Sequence, residues 1–145
     1  MTDNPQTHPK ISIQSVSKIF GKPANKAIDL LKNGLGKSKV QAETGVVVGV
    51  HDVSLDIYPG EIFVIMGLSG SGKSTLLHLI NRLQDPTIGK ILVDGEDATA
   101  MNAKALRALR RQKFGMVFQS FALLPHRTVL GNVEFGLEIQ VMSKT

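Results

Sequence analysis

Cysteine is absent from the 145-residue chain, which excludes disulfides, thiolate metal sites and cysteine nucleophiles. Tryptophan is absent too, and one tyrosine with six phenylalanines is too few rings for a base-stacking platform interleaved with basic residues. No apolar run approaches the ~20 residues that span a bilayer, and the opening Met1-Thr2-Asp3-Asn4-Pro5 lacks the basic-then-apolar order of a secretory signal. Both absences predict a soluble chain that stays in the cytoplasm. The four histidines, His8, His51, His78 and His126, show no metal-ligand spacing, so a zinc site is not expected.

What is present is ordinary globular composition, 42% hydrophobic and 20% charged, in a length that fits one domain or part of one. The net charge of +5 is mostly scattered. Its one dense cluster, Arg107, Arg110, Arg111 and Lys113, reads as the solvated face of a helix, and nucleic acid is not expected as a partner.

The informative stretch is Gly67-Leu68-Ser69-Gly70-Ser71-Gly72-Lys73-Ser74-Thr75. It follows the apolar run Ile62–Met66, read as a buried strand, and precedes Leu76–Leu83, read as a helix. That order is the context a phosphate-binding loop needs, because glycines let the backbone wrap an anion while the helix start aims free N–H groups at it. The glycines supply the path, Lys73 a point charge for the outer phosphates, Ser74 a hydroxyl for Mg²⁺ and Thr75 a donor near the inner phosphate. The expected ligand is a nucleoside triphosphate.

Around the loop, residues 1–10 read as a flexible tail and Ile11–Phe20 as a strand broken by Gly21 and Pro23. An insert over 22–45 carries Ala27, Ile28, Leu30, Leu31 and Leu35 at helical spacing. Ser38 and Gln41 then have capping-box spacing for a second short helix ending at Gly45. Val46, Val48 and Val50 alternate, as do Val53, Leu55 and Ile57, but the two sets are out of phase across His51-Asp52, which predicts a bulge or a change of sheet. Pro86 and Gly89 bound a turn, Lys90–Val93 form a strand, Asp94-Gly95 a hairpin turn, and Asn102 caps a helix bearing Leu106 and Leu109. Phe114–Phe118 read as another strand with Gln119 at its end, and Pro125 and Thr128 introduce a last helix.

Phe20, the loop after Pro59-Gly60-Glu61, Ile91-Leu92-Val93-Asp94-Gly95, and Met116-Val117-Phe118-Gln119 before Ser120-Phe121-Ala122-Leu123-Leu124-Pro125-His126 together resemble an ABC transporter ATPase subunit. The insert and the wording of both motifs are similar to glycine betaine/L-proline (quaternary ammonium) importers. The resemblance covers residues 11 to about 140. It implies an α/β fold, a P-loop NTPase core preceded by a β-rich subdomain, with a helical subdomain starting near residues 120–145. It implies ATP and Mg²⁺ as cofactors, and as partners a transmembrane permease subunit and a second ATPase subunit, on the inner face of the cell membrane. Residue by residue, Phe20 would stack on adenine, Gly67 to Thr75 would hold the phosphates, Ser74 and Gln119 would meet Mg²⁺, and Gln119 would position the attacking water.

The family's apolar strand ending in Asp-Glu, its Leu-Ser-Gly-Gly-Gln signature and its later histidine switch do not occur in these 145 residues. The Asp94-Gly95 pair mimics the metal-binding strand but puts glycine where the catalytic glutamate would stand, and reads better as a turn. The expectation is therefore the front half of a longer subunit, with the C-terminal half absent, that binds Mg-ATP weakly and turns it over negligibly. Two rivals remain open. One is a different P-loop enzyme such as a nucleotide kinase with a basic lid at residues 107–113. The other is a regulatory or decoy module that binds ATP and docks on a membrane partner without hydrolysis.

Overall fold

The computed structural model describes residues 8–118 and 123–141, side chains at 140 and 141 excepted. The chain divides into two compact units, residues 1–101 and 102–145.

The first unit is built on a four-stranded antiparallel sheet, ordered β2-β1-β3-β4. β1 (Ile11–Phe20) is central, paired on one side with β2 (Val47–Ile57) and on the other with β3 (Ile88–Val93), which turns back into β4 (Glu96–Asp97). In β1 the buried apolar residues Ile13, Val16 and Ile19 recur every three positions rather than every two. Bulges reconcile this spacing with a strand. Ile13 faces Leu55 while Val16 faces Val53, so β1 carries one extra residue, and Ser15 there has φ +48 with its N–H donating to Ser54 Oγ at 2.9 Å.

The phase break in β2 resolves as a bulge, not a change of sheet. Val16 pairs Val53 and Lys18 pairs Val50, and Asp52 takes φ +47 with its N–H donating to the buried Ser17 hydroxyl at 2.8 Å. Asp94 and Gly95, both at positive φ, form the tight β3–β4 turn, and the Asp94 carboxylate pairs with Lys10 at 2.7 Å. Gly89 departs from the expected turn. It lies inside β3 with φ +92, where a Cβ would strike the Ser15 carbonyl and Val16 Cα, so a glycine is needed for the strands to close over the bulge.

Between β1 and β2 the insert forms a hairpin of α1 (Ala24–Lys32) and α2 (Lys37–Thr44). Ala27, Ile28, Leu31 and Val40 join Ile19, Val46 and Val48 in one buried cluster, so the hairpin has its own core at the end of the sheet. α2 ends at Gly45 in the left-handed conformation, as expected, but its N-cap is Gly36, and Ser38 forms no capping box. Helix formation began one residue before Ser38, placing that hydroxyl inside the first turn. α3 (Lys73–Ile80) lies against β1 and β2 and buries Leu76, Leu79 and Ile80. Just beyond it, the buried Arg82 donates from Nε to the Ala98 carbonyl at 3.0 Å and pairs with Asp85 at 2.6 Å.

Two expected strands are not formed. Ile62–Met66 has no ladder partner among the described residues and is solvent-exposed, Ile62 at 91% and Met66 at 85%. In the second unit, 114–118 is likewise irregular, with Val117 at 97%. An apolar run becomes a strand only when a neighbouring strand takes its N–H and C=O groups, and among the described residues neither run lies in a ladder.

The second unit holds α4 (Ala103–Lys113) and α5 (Val129–Val141), which lie against each other. Asn102 Oδ1 accepts the N–H groups of Lys104 and Ala105, the expected cap, typically worth about 1 kcal/mol. The turn into α5 is held by Asn132, which exchanges hydrogen bonds with the backbone of Leu124 at 2.7 and 3.2 Å, and by an Arg127–Glu138 pair at 2.6 Å. Among the described residues no helix is long and apolar enough to cross a membrane.

Candidate functional site

The glycine-rich loop lies wholly in the first unit, between the exposed run Ile62–Met66 and α3. Its last residue, Gly72, is the N-cap of α3 at φ +104, and no side chain caps the helix. The first-turn N–H groups are thus left for an external anion, the electrostatic role expected of a helix start. Lys73 opens the helix and folds back so that Nζ donates to the carbonyls of Gly67 at 2.9 Å and Leu68 at 2.8 Å. The ammonium closes the loop into a ring, and the Ser71 N–H bonded to the Leu68 carbonyl at 3.2 Å tightens it. Leu68, Ser69 and Gly70 are exposed at the rim, Ser74 is exposed at the helix start, and Thr75 is half-buried.

What sets the loop against the sheet is Gly49. In β2 it stands between Val48, which faces Ile19, and Val50, which faces Lys18, and so has no opposite residue in the register. A Cβ on Gly49 would come within 2.8 Å of the Phe20 ring and 3.1 Å of the Thr75 methyl, and a Cβ on Gly72 would collide with the Gly49 carbonyl. Phe20, at the end of β1, and Thr75, in the first turn of α3, therefore meet over the same backbone atom. The Phe20 ring is 37% exposed and carries the Lys18 ammonium 5.2 Å from its centroid. Gly49 was missed in the sequence, although a glycine inside the Val46-Val48-Val50 alternation is a recognisable mark of a bulge or a close backbone approach.

The residue expected to complete the site, Gln119, lies outside the described residues. Among the described residues no group of three or more His, Asp or Glu side chains could hold a metal ion. The Ser74 hydroxyl, exposed at the start of α3, is a ligand of the kind that suits Mg²⁺ carried on phosphate oxygens and water. The donor set of loop amides, one ammonium and one hydroxyl fits that group. His78 is half-buried on α3, and its backbone carbonyl accepts the Gln84 N–H at 3.1 Å.

The family model of ABC transporters matches residues 50–145. The glycine betaine transport ATP-binding protein OpuAA of Bacillus subtilis is 54% identical over 135 residues, covering 93% of this chain and 32% of the relative. The glycine betaine/proline betaine transport system ATP-binding protein ProV of Escherichia coli is 52% identical over 130 residues, covering 90% of this chain and 32% of the relative. The chain thus spans about a third of the length of these curated relatives. Among solved structures, the dimeric post-hydrolysis state of the ATP-binding cassette MJ0796 with ADP and Pi superposes with a TM-score of 0.70 at 32% identity, over 90% of this chain and 47% of that one.

Proposed function

Since the chain belongs to the ABC transporter family, we propose that it is the nucleotide-binding part of the ATP-binding subunit of an importer for glycine betaine or related quaternary amines. In this reading residues 11–145 are the N-terminal portion of the nucleotide-binding domain. The subunit works peripherally on the inner face of the membrane, paired with a second copy and with a permease. The carrying observation is the loop itself, with the Lys73 ammonium held over an uncapped α3 and the Phe20 ring brought to Thr75 across Gly49. The solute class is supported by the names of the relatives that share 52–54% of its residues.

Each residue then has a task. The loop amides from Gly67, Leu68, Ser69, Gly70, Ser71 and Gly72 cradle the phosphates, and Lys73 exchanges its two carbonyl partners for the outer phosphate oxygens. Ser74 meets the nucleotide's Mg²⁺, Thr75 serves the inner phosphate, and the exposed face of Phe20 stacks on the purine. Mg²⁺ supplies charge neutralisation on the outer phosphates when bound. Gln119 orients the attacking water through an amide that both accepts and donates.

Two measurements test this reading. Calorimetric titration of the chain with ATP at millimolar magnesium gives a binding isotherm that Lys73→Ala removes. A chimera in which residues 11–140 replace the matching segment of the Bacillus subtilis relative supports glycine betaine uptake, and its Lys73→Ala form does not. An absent isotherm in folded protein refutes the nucleotide site, and a chimera that binds ATP without restoring uptake refutes the solute assignment.

A further inference from the structure

The inserted hairpin reaches the loop through one side chain. Lys37, the first residue of α2, donates from Nζ to the Gly49 carbonyl at 3.2 Å, the same oxygen that lies against Gly72. An ammonium has three N–H donors, and the carbonyl takes one. The other two have no protein partner among the described residues, and no carboxylate pairs with this lysine there. An exposed lysine normally waves in solvent, but this one is perched where the adenine-facing ring of Phe20 and the helix start at Thr75 converge. Under the proposed nucleotide reading, a ligand stacked on Phe20 and reaching Lys73 would run past Gly49, where this ammonium is held.

We infer that Lys37, carried by the insert, is a second nucleotide-binding lysine whose ammonium serves the inner phosphate while Lys73 serves the outer ones. The inference rests on the nucleotide reading of the loop and adds to it a function for the insert. Binding would tie α2 to the ligand, so the hairpin and the phosphate loop would close on the nucleotide together. A compact ammonium at one phosphate, rather than a bidentate fork, fits a lysine at this place.

The test is competition of ATP, ADP, AMP and adenosine against a fluorescent ATP analogue in the wild-type chain, Lys37→Met and Lys37→Arg. Methionine keeps an apolar stem and removes the charge. Lys37→Met is expected to weaken ATP, ADP and AMP by a common factor of roughly five to ten, to leave adenosine unchanged, and to flatten the salt dependence of ATP binding, with Lys37→Arg restoring most of the loss. Equal binding of all nucleotides by wild type and Lys37→Met overturns the inference. So does an equal loss for adenosine and AMP, which would make Lys37 a structural strap. A wild-type chain that binds no nucleotide at all removes the loop reading itself, a different outcome from intact binding that ignores position 37.

Discussion

Gly49 and Gly72 touch backbone to backbone: the carbonyl oxygen of the first occupies the space that a side chain on the second would need. This contact seats the phosphate loop on β2, and neither residue tolerates a methyl group there. Gly72→Ala carries the added strain of φ +104 and is expected to abolish ATP binding. Gly49→Ala drives the Phe20 ring and Thr75 apart and is expected to weaken ATP roughly tenfold or more, within the 1–3 kcal/mol range of overpacking. Titration of both variants beside a melting curve checks this, and wild-type affinity in Gly49→Ala would show that the ring and loop need not meet.

The Phe20 ring is exposed and carries the Lys18 ammonium 5.2 Å from its centroid, and under the proposed nucleotide reading it stacks on the base. Phe20→Ala is expected to cost about 1–3 kcal/mol of ATP affinity, the usual range for stacking a base on an aromatic ring, whereas Phe20→Trp retains it. Because stacking reads no particular base edge, GTP should lose affinity in the same proportion. An unchanged alanine variant would return Phe20 to a packing role.

The exposed apolar run Ile62, Val64 and Met66, which has no ladder partner among the described residues, is the kind of segment that templates aggregation. The chain is expected to enhance the fluorescence of hydrophobic dyes and to associate at micromolar concentration. The double variant Ile62→Lys, Val64→Lys should shift light scattering toward monomer without moving the melting temperature downward. A monodisperse wild-type chain in sedimentation would contradict this.

Asp97 titrates below its ordinary value because the Thr99 hydroxyl donates to it, helped by the Thr99 and Ala100 N–H groups and the Lys90 charge against the opposing effect of burial. A depressed carboxyl contributes stability in full above its unfolded value of 3.8, and that contribution is lost as pH falls through the folded value. Asp97→Asn is therefore expected to lower the melting temperature by a few degrees at neutral pH and to converge with wild type in strong acid. Parallel curves from neutral to acidic pH would rule out this linkage.

Much of this architecture was legible along the chain. β1 runs from Ile11 to Phe20 as expected, although past Ile13 bulges replace the alternation, Asn102 caps α4, Asp94-Gly95 turns the hairpin, and the phase break at His51-Asp52 is a bulge. Each is decided within a few residues by turn chemistry, capping or side-chain period. Ile62–Met66 and 114–118 were misread as strands because apolar composition reports a preference for burial, while a strand exists only with a partner to complete its hydrogen bonds. Ser38 was misread as a cap because spacing alone does not say where the first helical turn begins.

The sequence by itself determined the chemistry of the loop, since nine adjacent residues carry the amides, ammonium and hydroxyls that an anion with its metal requires. Only the tertiary structure decided what stands around that loop. Gly49, Lys37, Phe20 and Thr75 are far apart in the chain and meet because a bulge in β2 and a bare α-carbon at Gly72 let two backbones approach more closely than any side chain would permit.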